Sequence, residues 1–452
     1  MSAKNQNQYA SLYDNYEWFV PNNFNIANAC CHRWAKSPHE ARQAAIYFED
    51  QVGQLTSLSY GQLSERVNKL ANGFIRMGVH PQDRIAIALQ HSAETAITIL
   101  AAISVGAIAV PLKAGLSNID YDQRLVDMAA KIVIVDKHTI GPVTNAIDHN
   151  PVLRQSLKQI VGIHTDDERV IPWRTLLARQ PSEFNTVQTS PDTPVLLFYP
   201  DGIEPLRATV ITHEGLIGAL PGFVSSQNWF PKKADIFYTT YDWSTPIGLL
   251  GALLPTLYFG RTIVGCPSGR TIPRLFTLLE HYPVSNMLAS GAELRRIASY
   301  KDSLSHFELG LRCITCPEQD SSPELSHWVH ERFGFALNNV CMPLGFSYIV
   351  GESADKWPSK VGSMGRAIPG HRVAILDEAG QPVDTDKFGF LCVHQENKES
   401  DPDPALSKHF WQQGQLQELA PLAQNWYNTG IRARQDKEGY FWREPSTLTT
   451  FS

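Results

Sequence analysis

Residues 59–112 read SYGQLSERVNKLANGFIRMGVHPQDRIAIALQHSAETAITILAAISVGAIAVPL, and this stretch decides the fold class. Leu63, Val67, Leu70 and Phe74 recur at i, i+4, i+7 and i+11, one apolar face of an amphipathic helix over residues 59–77. Gly78 ends that helix and Pro81 follows it, the expected stop chemistry. A short apolar run comes next (84–89, RIAIAL), then a second helix over 93–105, then AIAV at 107–110, closed by Pro111. IVIV at 132–135 adds another run. Short apolar strands alternating with helices imply parallel βαβ units with both sheet faces covered.

Working outward, the pattern resumes at 195–199 (VLLFY) and continues through apolar runs at 249–258 and 284–289. The tail changes character. Runs at 373–376 and 390–393 are separated by the turn segment DEAGQP (377–382), which reads as an antiparallel hairpin. Two parallel α/β halves followed by a smaller, more antiparallel β region are expected. We divide the chain into a first α/β subdomain with an N-terminal extension (1–190), a second (191–355) and a β-barrel-like region (356–452). NKESDPDP (397–404) is the segment expected to be most flexible.

The totals exclude several classes. The chain has 452 residues, 39 Lys+Arg, 45 Asp+Glu and a formal charge of −6, which gives no electrostatic case for nucleic acid. The N-terminus lacks the apolar core of a signal peptide. Residues 96–112 approach membrane length, but Gly106, Pro111 and the change to β-branched alternation indicate a buried helix running into a buried strand. Seven cysteines, an odd number without an export signal, point to reduced thiols in the cytoplasm. Cys313-x-x-Cys316 has no second Cys/His pair at zinc-finger spacing and reads as buried structural thiols.

Residues 13–35 (YDNYEWFVPNNFNIANACCHRWA), the block to Leu112, and 241–260 (YDWSTPIGLLGALLPTLYFG) together resemble the acyl-CoA synthetase, adenylation-domain and luciferase superfamily. So do 357–370 (WPSKVGSMGRAIPG) and 426–440 (WYNTGIRARQDKEGY), the last being the strongest marker. The resemblance implies two parallel-sheet α/β subdomains plus a distorted antiparallel β-barrel. It also implies an activity, joining a carboxylate to ATP as an acyl-adenylate and passing the acyl group to a thiol. Fold does not carry function, so each site is compared residue by residue.

The family's phosphate loop, T-S-G-T-T-G-x-P-K-G, matches Tyr199-Pro-Asp-Gly-Ile-Glu-Pro-Leu-Arg-Ala208. Pro200 and Pro205 remove backbone donors that a phosphate cradle needs. Asp201 and Glu204 bring carboxylates to the place of a triphosphate. One like-charge pair near 4 Å costs about 4 kcal/mol at an effective dielectric of about 20. Arg207 offsets one such pair at most. The aromatic-G-x-T-E motif matches Cys341-Met-Pro-Leu-Gly345, so the metal-holding Glu becomes Gly345 and the phosphate-contacting Thr becomes Leu344. The ribose-gripping Asp of W-Y-x-T-G-D matches Ile431, and the Arg of the following G-R pair falls on Ser446. The chain stops at Ser452, where the family adds a lid domain of roughly a hundred residues that supplies the adenylation lysine.

These departures lead us to expect a pseudoenzyme in acyl or secondary metabolism, with ATP and Mg²⁺ binding lost, no cofactor and no metal. Expected partners are an acyl or aryl carboxylate, a partner enzyme or a carrier protein. Two alternatives stay open. One is an acyl- or aryl-acid ligase with altered contacts or a C-terminal domain supplied in trans; the other is an ATP-independent acyltransferase or hydrolase using Cys341 or His213. The candidate ligand cleft comprises Tyr199, Asp201, Arg207, His213, Asp242, Trp243, Cys341, Met342 and Gly345, with no catalytic residue assigned. Asp242 and Trp243 match a family motif on the acyl side, where a structural role and ligand contact both stay open, whereas Gly365-Arg366 with Pro369-Gly370 reads as a barrel-entry turn.

Overall fold

The computed structural model describes residues 7–157, 159–165, 167–300, 306–317, 319 and 321–445. Ser446 and the residues after it therefore lie outside the described residues. The helix expected first spans Tyr60–Arg76. Ser59 caps it reciprocally: its Oγ accepts the Gln62 N–H at 3.2 Å, while Gln62 Oε1 accepts the Ser59 N–H at 2.9 Å. Such a cap contributes about 1 kcal/mol. Leu63, Val67, Leu70 and Phe74 are fully buried, each adding roughly 1.5–3 kcal/mol of apolar burial. Ala93–Ser104 forms the second helix, buried nearly all round, which accounts for its membrane-like hydropathy. Among the described residues no helix is long and apolar enough to cross a membrane.

The first helix packs on the second and on the Ala44–Ser59 hairpin, and the second packs against a nine-stranded sheet. Its parallel centre is built from Ile108–Leu112, Arg84–Ala88, Ile132–Asp136 and Ile160–Ile163, in that spatial order. Pro111 does not close its strand as expected but lies inside it, opposite Ile87. The pairing to the neighbouring Pro194–Phe198 strand is made at Ala109↔Leu196 and needs no N–H from position 111. A second nine-stranded sheet runs parallel from Asn338–Cys341 through Cys313–Pro317, Asn286–Leu288, Ile236–Thr239 and Thr262–Gly265 to Ala44–Glu49. The third, four-stranded and wholly antiparallel, takes Val373–Leu376, Gly389–His394, Trp426–Gln435 and Phe441–Arg443. The fold class is thus two parallel-rich α/β sheets plus a curled antiparallel sheet, as the resemblance implied.

Sheet membership does not follow the three consecutive segments 1–190, 191–355 and 356–452. The early hairpin Ala44–Ser59 joins the second sheet, with Ile46 paired to Ile263, because Ala45, Ile46 and Phe48 are buried there. The Pro194–Phe198 and Ala208–Thr212 strands belong to the first sheet. So does the late hairpin of His409–Gln412 and Gln415–Glu418, held by Trp411, whose Nε1–H donates to the Asp127 carbonyl at 3.0 Å. Charged loop 397–404, expected to be flexible, is pinned at both ends. Asn397 Oδ1 accepts the N–H groups of Glu399 and Asp401 at 2.9 Å each, and buried Asp403 Oδ2 meets His371 Nδ1 at 2.7 Å.

Candidate functional site

Strands from two sheets end at a common cleft. Ile108–Leu112 and Pro194–Phe198 deliver Lys113 and Tyr199–Asp201 from the first sheet, and Asn338–Cys341 delivers Met342–Gly345 from the second. Ligand sites in open α/β sheets sit at such carboxyl ends. The cleft has two halves. One, of about 120 Å³, is lined by Lys113, Arg124, Tyr199, Pro200 and Asp201. The other, of about 30 Å³, is apolar, lined by Ile211, Ile247, Leu250, Met342 and Gly345. Pro246 and Leu344 line both.

Of the nine residues expected in the cleft, Tyr199, Asp201, Met342 and Gly345 line it. Tyr199 Oη donates to Asp127 Oδ2 at 2.7 Å, and burial, reinforced by that carboxylate, raises the phenol well above its ordinary pKa. Asp201 projects from a turn whose next residue, Gly202, holds φ +69°, and pairs with Lys113 Nζ. Its other oxygen lies 4.0 Å from Arg124 Nη2.

The remaining five are placed elsewhere. Arg207 does not face Asp201; its guanidinium stacks over Phe410 at 5.6 Å. The positive charge near Asp201 comes instead from Lys113 and Arg124. Asp242 builds a turn, accepting the Ser244 N–H on Oδ1 at 2.8 Å and the Thr245 hydroxyl on its carbonyl at 2.7 Å. Trp243 is fully buried, edge-on to Phe48 and His91 at 5.7 and 4.8 Å, so it is core rather than cleft wall. His213 Nδ1 accepts the Ile26 N–H at 3.2 Å, and burial lowers its pKa to about 4, leaving it neutral. Cys341 is fully buried in the apolar cluster beneath the antiparallel sheet. Burial likewise pushes the Cys313 thiol of the CxxC pair up to about 12.

Three residues that shape the cleft, Lys113, Arg124 and Asp127, were not among those expected from sequence. A signal for them exists. Ser117-x-x-Asp120 is a capping box, with Ser117 Oγ accepting the Asp120 N–H at 3.2 Å, and it starts the Asn118–Asp127 helix just after the strand. Asp120 and Arg124 then fall on one face, with Arg124 Nη1 3.0 Å from Asp120 Oδ1.

Asp201 therefore repels a triphosphate only weakly. Asp201 and Lys113 side chains are 60% and 57% exposed, so the pair contributes at most about 1 kcal/mol. Repulsion at that exposure falls toward the value in water, about 1 kcal/mol at 4 Å. At Gly345, matched in sequence to the family's metal-holding Glu, the backbone decides what fits. Gly345 holds φ +86°, and a Cβ there would sit 3.1 Å from Thr209 Cγ2 and 3.3 Å from Ser407 Cβ. Its carbonyl is taken by the Ser407 N–H at 2.7 Å. A glutamate at 345 therefore meets both left-handed strain and crowding, and the residues present do not fit a magnesium ion held from here. Among the described residues no group of three His, Cys, Asp or Glu is placed to hold a metal. Ile431, matched in sequence to the family's ribose-gripping Asp, is buried in the apolar cluster of the antiparallel sheet.

Comparison with known proteins agrees with this architecture. The sequence pattern described as "AMP-binding enzyme" matches residues 31–398. The acetyl-coenzyme A synthetase of Laribacter hongkongensis is 25% identical over 455 residues, covering 94% of this chain and 68% of that protein. An uncharacterized acyl-CoA ligase of Bacillus subtilis, YtcI, is 24% identical over 439 residues, covering 94% of this chain and 77% of its own. Among solved structures, the Brucella canis acyl-CoA synthetase superposes with a TM-score of 0.84 at 20% identity, covering 97% of this chain and 78% of that one. The anthranilate CoA ligase AuaEII, in complex with anthranoyl-AMP, gives 0.82 at 18% identity, covering 94% and 78%.

Proposed function

The chain belongs to the AMP-binding enzyme family, and from that premise we propose that it is a non-catalytic member, a binding or scaffold protein that no longer makes an acyl-adenylate. The observation that carries this reading is the positive-φ glycine at 345, where the family's pattern calls for the metal-holding glutamate. The loop after the Pro194–Phe198 strand supports it, with Pro200 and Pro205 in place of backbone donors and Asp201 turned onto Lys113. A cleft with one apolar half and one cationic wall suits an acyl or aryl carboxylate, offered to a partner enzyme or carrier protein. The seven thiols, all buried and none in a disulfide, support a reducing compartment such as the cytoplasm.

Isothermal calorimetry with ATP–Mg²⁺ and with AMP tests the reading. No heat is expected at either of two temperatures. Micromolar binding, about −8 kcal/mol, would sink it. The printed names of the relatives, acetyl-coenzyme A synthetases and an acyl-CoA ligase, favour a second reading, a ligase with altered ATP contacts. That reading requires carboxylate-dependent ATP–pyrophosphate exchange, and its absence across a panel of acetate, longer acyl acids and aryl acids would leave the first standing.

A further inference from the structure

The cationic wall of the cleft offers more donors than the protein uses. Arg124 is buried, its side chain only 7% exposed, yet it spends one nitrogen on Asp120: Nη1 donates to the carbonyl and to Oδ1 at 3.1 and 3.0 Å. Nη2 has Asp201 Oδ1 at 4.0 Å, beyond hydrogen-bond reach. A guanidinium carries five donors in a fixed fork, so a buried one facing a cavity with an unfilled arm is built to receive an oxyanion. Lys113 stands beside it. Its backbone is fixed by the Tyr121 hydroxyl, which donates to the Lys113 carbonyl at 2.8 Å, and its ammonium has one carboxylate partner, Asp201.

Asp201 is a loose occupant of this place. Its side chain is mostly exposed, it sits on a surface turn beside a positive-φ glycine, and it reaches the lysine without closing the distance to the arginine. We propose that Lys113 and Arg124 form an oxyanion seat in the cleft and that Asp201 is its displaceable resident, so that an external carboxylate or phosphate competes with the protein's own side chain for the seat. The organic remainder of such a ligand would lie along Pro246 and Leu344 toward the apolar half. This deepens the proposed function, resting on the reading that the cleft binds an anion without ATP chemistry.

The test compares wild type with Asp201→Asn, which keeps shape and removes charge, and with Asp201→Asn combined with Lys113→Gln or with Arg124→Lys. Each is titrated with sodium acetate and, separately, sodium phosphate by NMR or calorimetry at constant ionic strength. Asp201→Asn should bind at least one of the two anions about threefold or more tighter than wild type, and the Lys113→Gln addition should return it to the wild-type level. A gain with acetate alone assigns the seat to carboxylates, and a gain with phosphate alone assigns it to phosphoryl groups. Equal affinity in Asp201→Asn and wild type, or a gain that survives both second substitutions, would overturn the proposal. Lys113 is exposed, so its variant is expected to fold even where the buried Arg124 variant does not. Heat from ATP–Mg²⁺ with wild type would count against the non-catalytic reading while leaving this comparison of variants intact.

Discussion

The two ends of the parallel strands treat polar groups in opposite ways. At the amino-terminal ends of the second sheet, Gln227, Asn286, Thr315 and Asn338 are fully buried and tied to one another. Asn338 Nδ2 donates to the Ser226 carbonyl at 2.7 Å and to Asn228 Oδ1 at 2.9 Å, and its Oδ1 accepts the Ala354 N–H at 3.1 Å. Gln227 Nε2 donates to Thr315 Oγ1 at 2.8 Å, and Asn286 Nδ2 to the Gln227 carbonyl at 3.0 Å. At the carboxyl ends of the first sheet, around the cleft, Asp201 and Lys113 are exposed and meet as an ion pair beside the buried Arg124 and Asp127. Buried, satisfied polar groups specify one packing and are costly to break, whereas exposed pairs are nearly neutral. The fold is fastened at the end away from the cleft, which leaves the cleft's loops free to change chemistry without losing the scaffold.

The strongest way to break this contrast is Asn338→Ala. It strands the Ala354 N–H and removes both donors, so a loss of about 3 kcal/mol is expected from chemical denaturation. A loss under 1 kcal/mol would mean the network is not what fastens the sheet.

Glu352 belongs to the same fastened end and adds a pH signature. Its oxygens accept the N–H groups of Asn339 and Lys360 at 3.0 Å each, but burial outweighs those bonds and raises its pKa from 4.5 to about 8. The folded state thus binds the proton more tightly than the unfolded state. The resulting stability is fully present below about pH 4.5 and is lost as pH rises through about 8. Between pH 6 and 7 wild type should lose up to about 1.4 kcal/mol, a slope that Glu352→Gln removes. Parallel pH dependence in both proteins would detach Glu352 from the effect.

How much of this was legible in the sequence depended on whether a rule is local. The Tyr60–Arg76 helix, its cap and its buried face follow from period and capping chemistry within some twenty residues, and the structure agrees. The placement of Ala44–Ser59 beside Thr262–Gly265 does not, because parallel partners far apart in the chain leave no local mark. The cleft divides the same way. Tyr199 and Gly345 were located by matching a contiguous motif, but Lys113 and Arg124 come from a different strand and helix, and a matched motif does not report what packs against it. For Arg207 and Trp243 identity does not fix direction: one side chain stacks on Phe410 and the other turns into the core.

Tyr199 sharpens the contrast from the cleft side. Tyr199→Phe removes one hydrogen bond to Asp127, whose carboxylate keeps the Gln413 N–H at 2.5 Å. The expected cost is about 1 kcal/mol, measured by the shift in the urea midpoint, and clearly less than that of Asn338→Ala.

Asp201→Asn should have the smallest effect of all on stability. Its carboxylate makes an exposed ion pair with Lys113 and no hydrogen bond to Arg124, so its removal forfeits a term that is already screened by water and salt. A change within about 0.5 kcal/mol is expected by thermal denaturation, shrinking further at 0.5 M salt. A loss above 2 kcal/mol would make Asp201 a structural pin and erase the difference between the cleft loop and the buried network of the second sheet. A small loss, set beside a large one at Asn338, is what a scaffold with an independently variable cleft requires: Asp201, the proposed competitor for the anion seat, then contributes almost nothing to holding the cleft together.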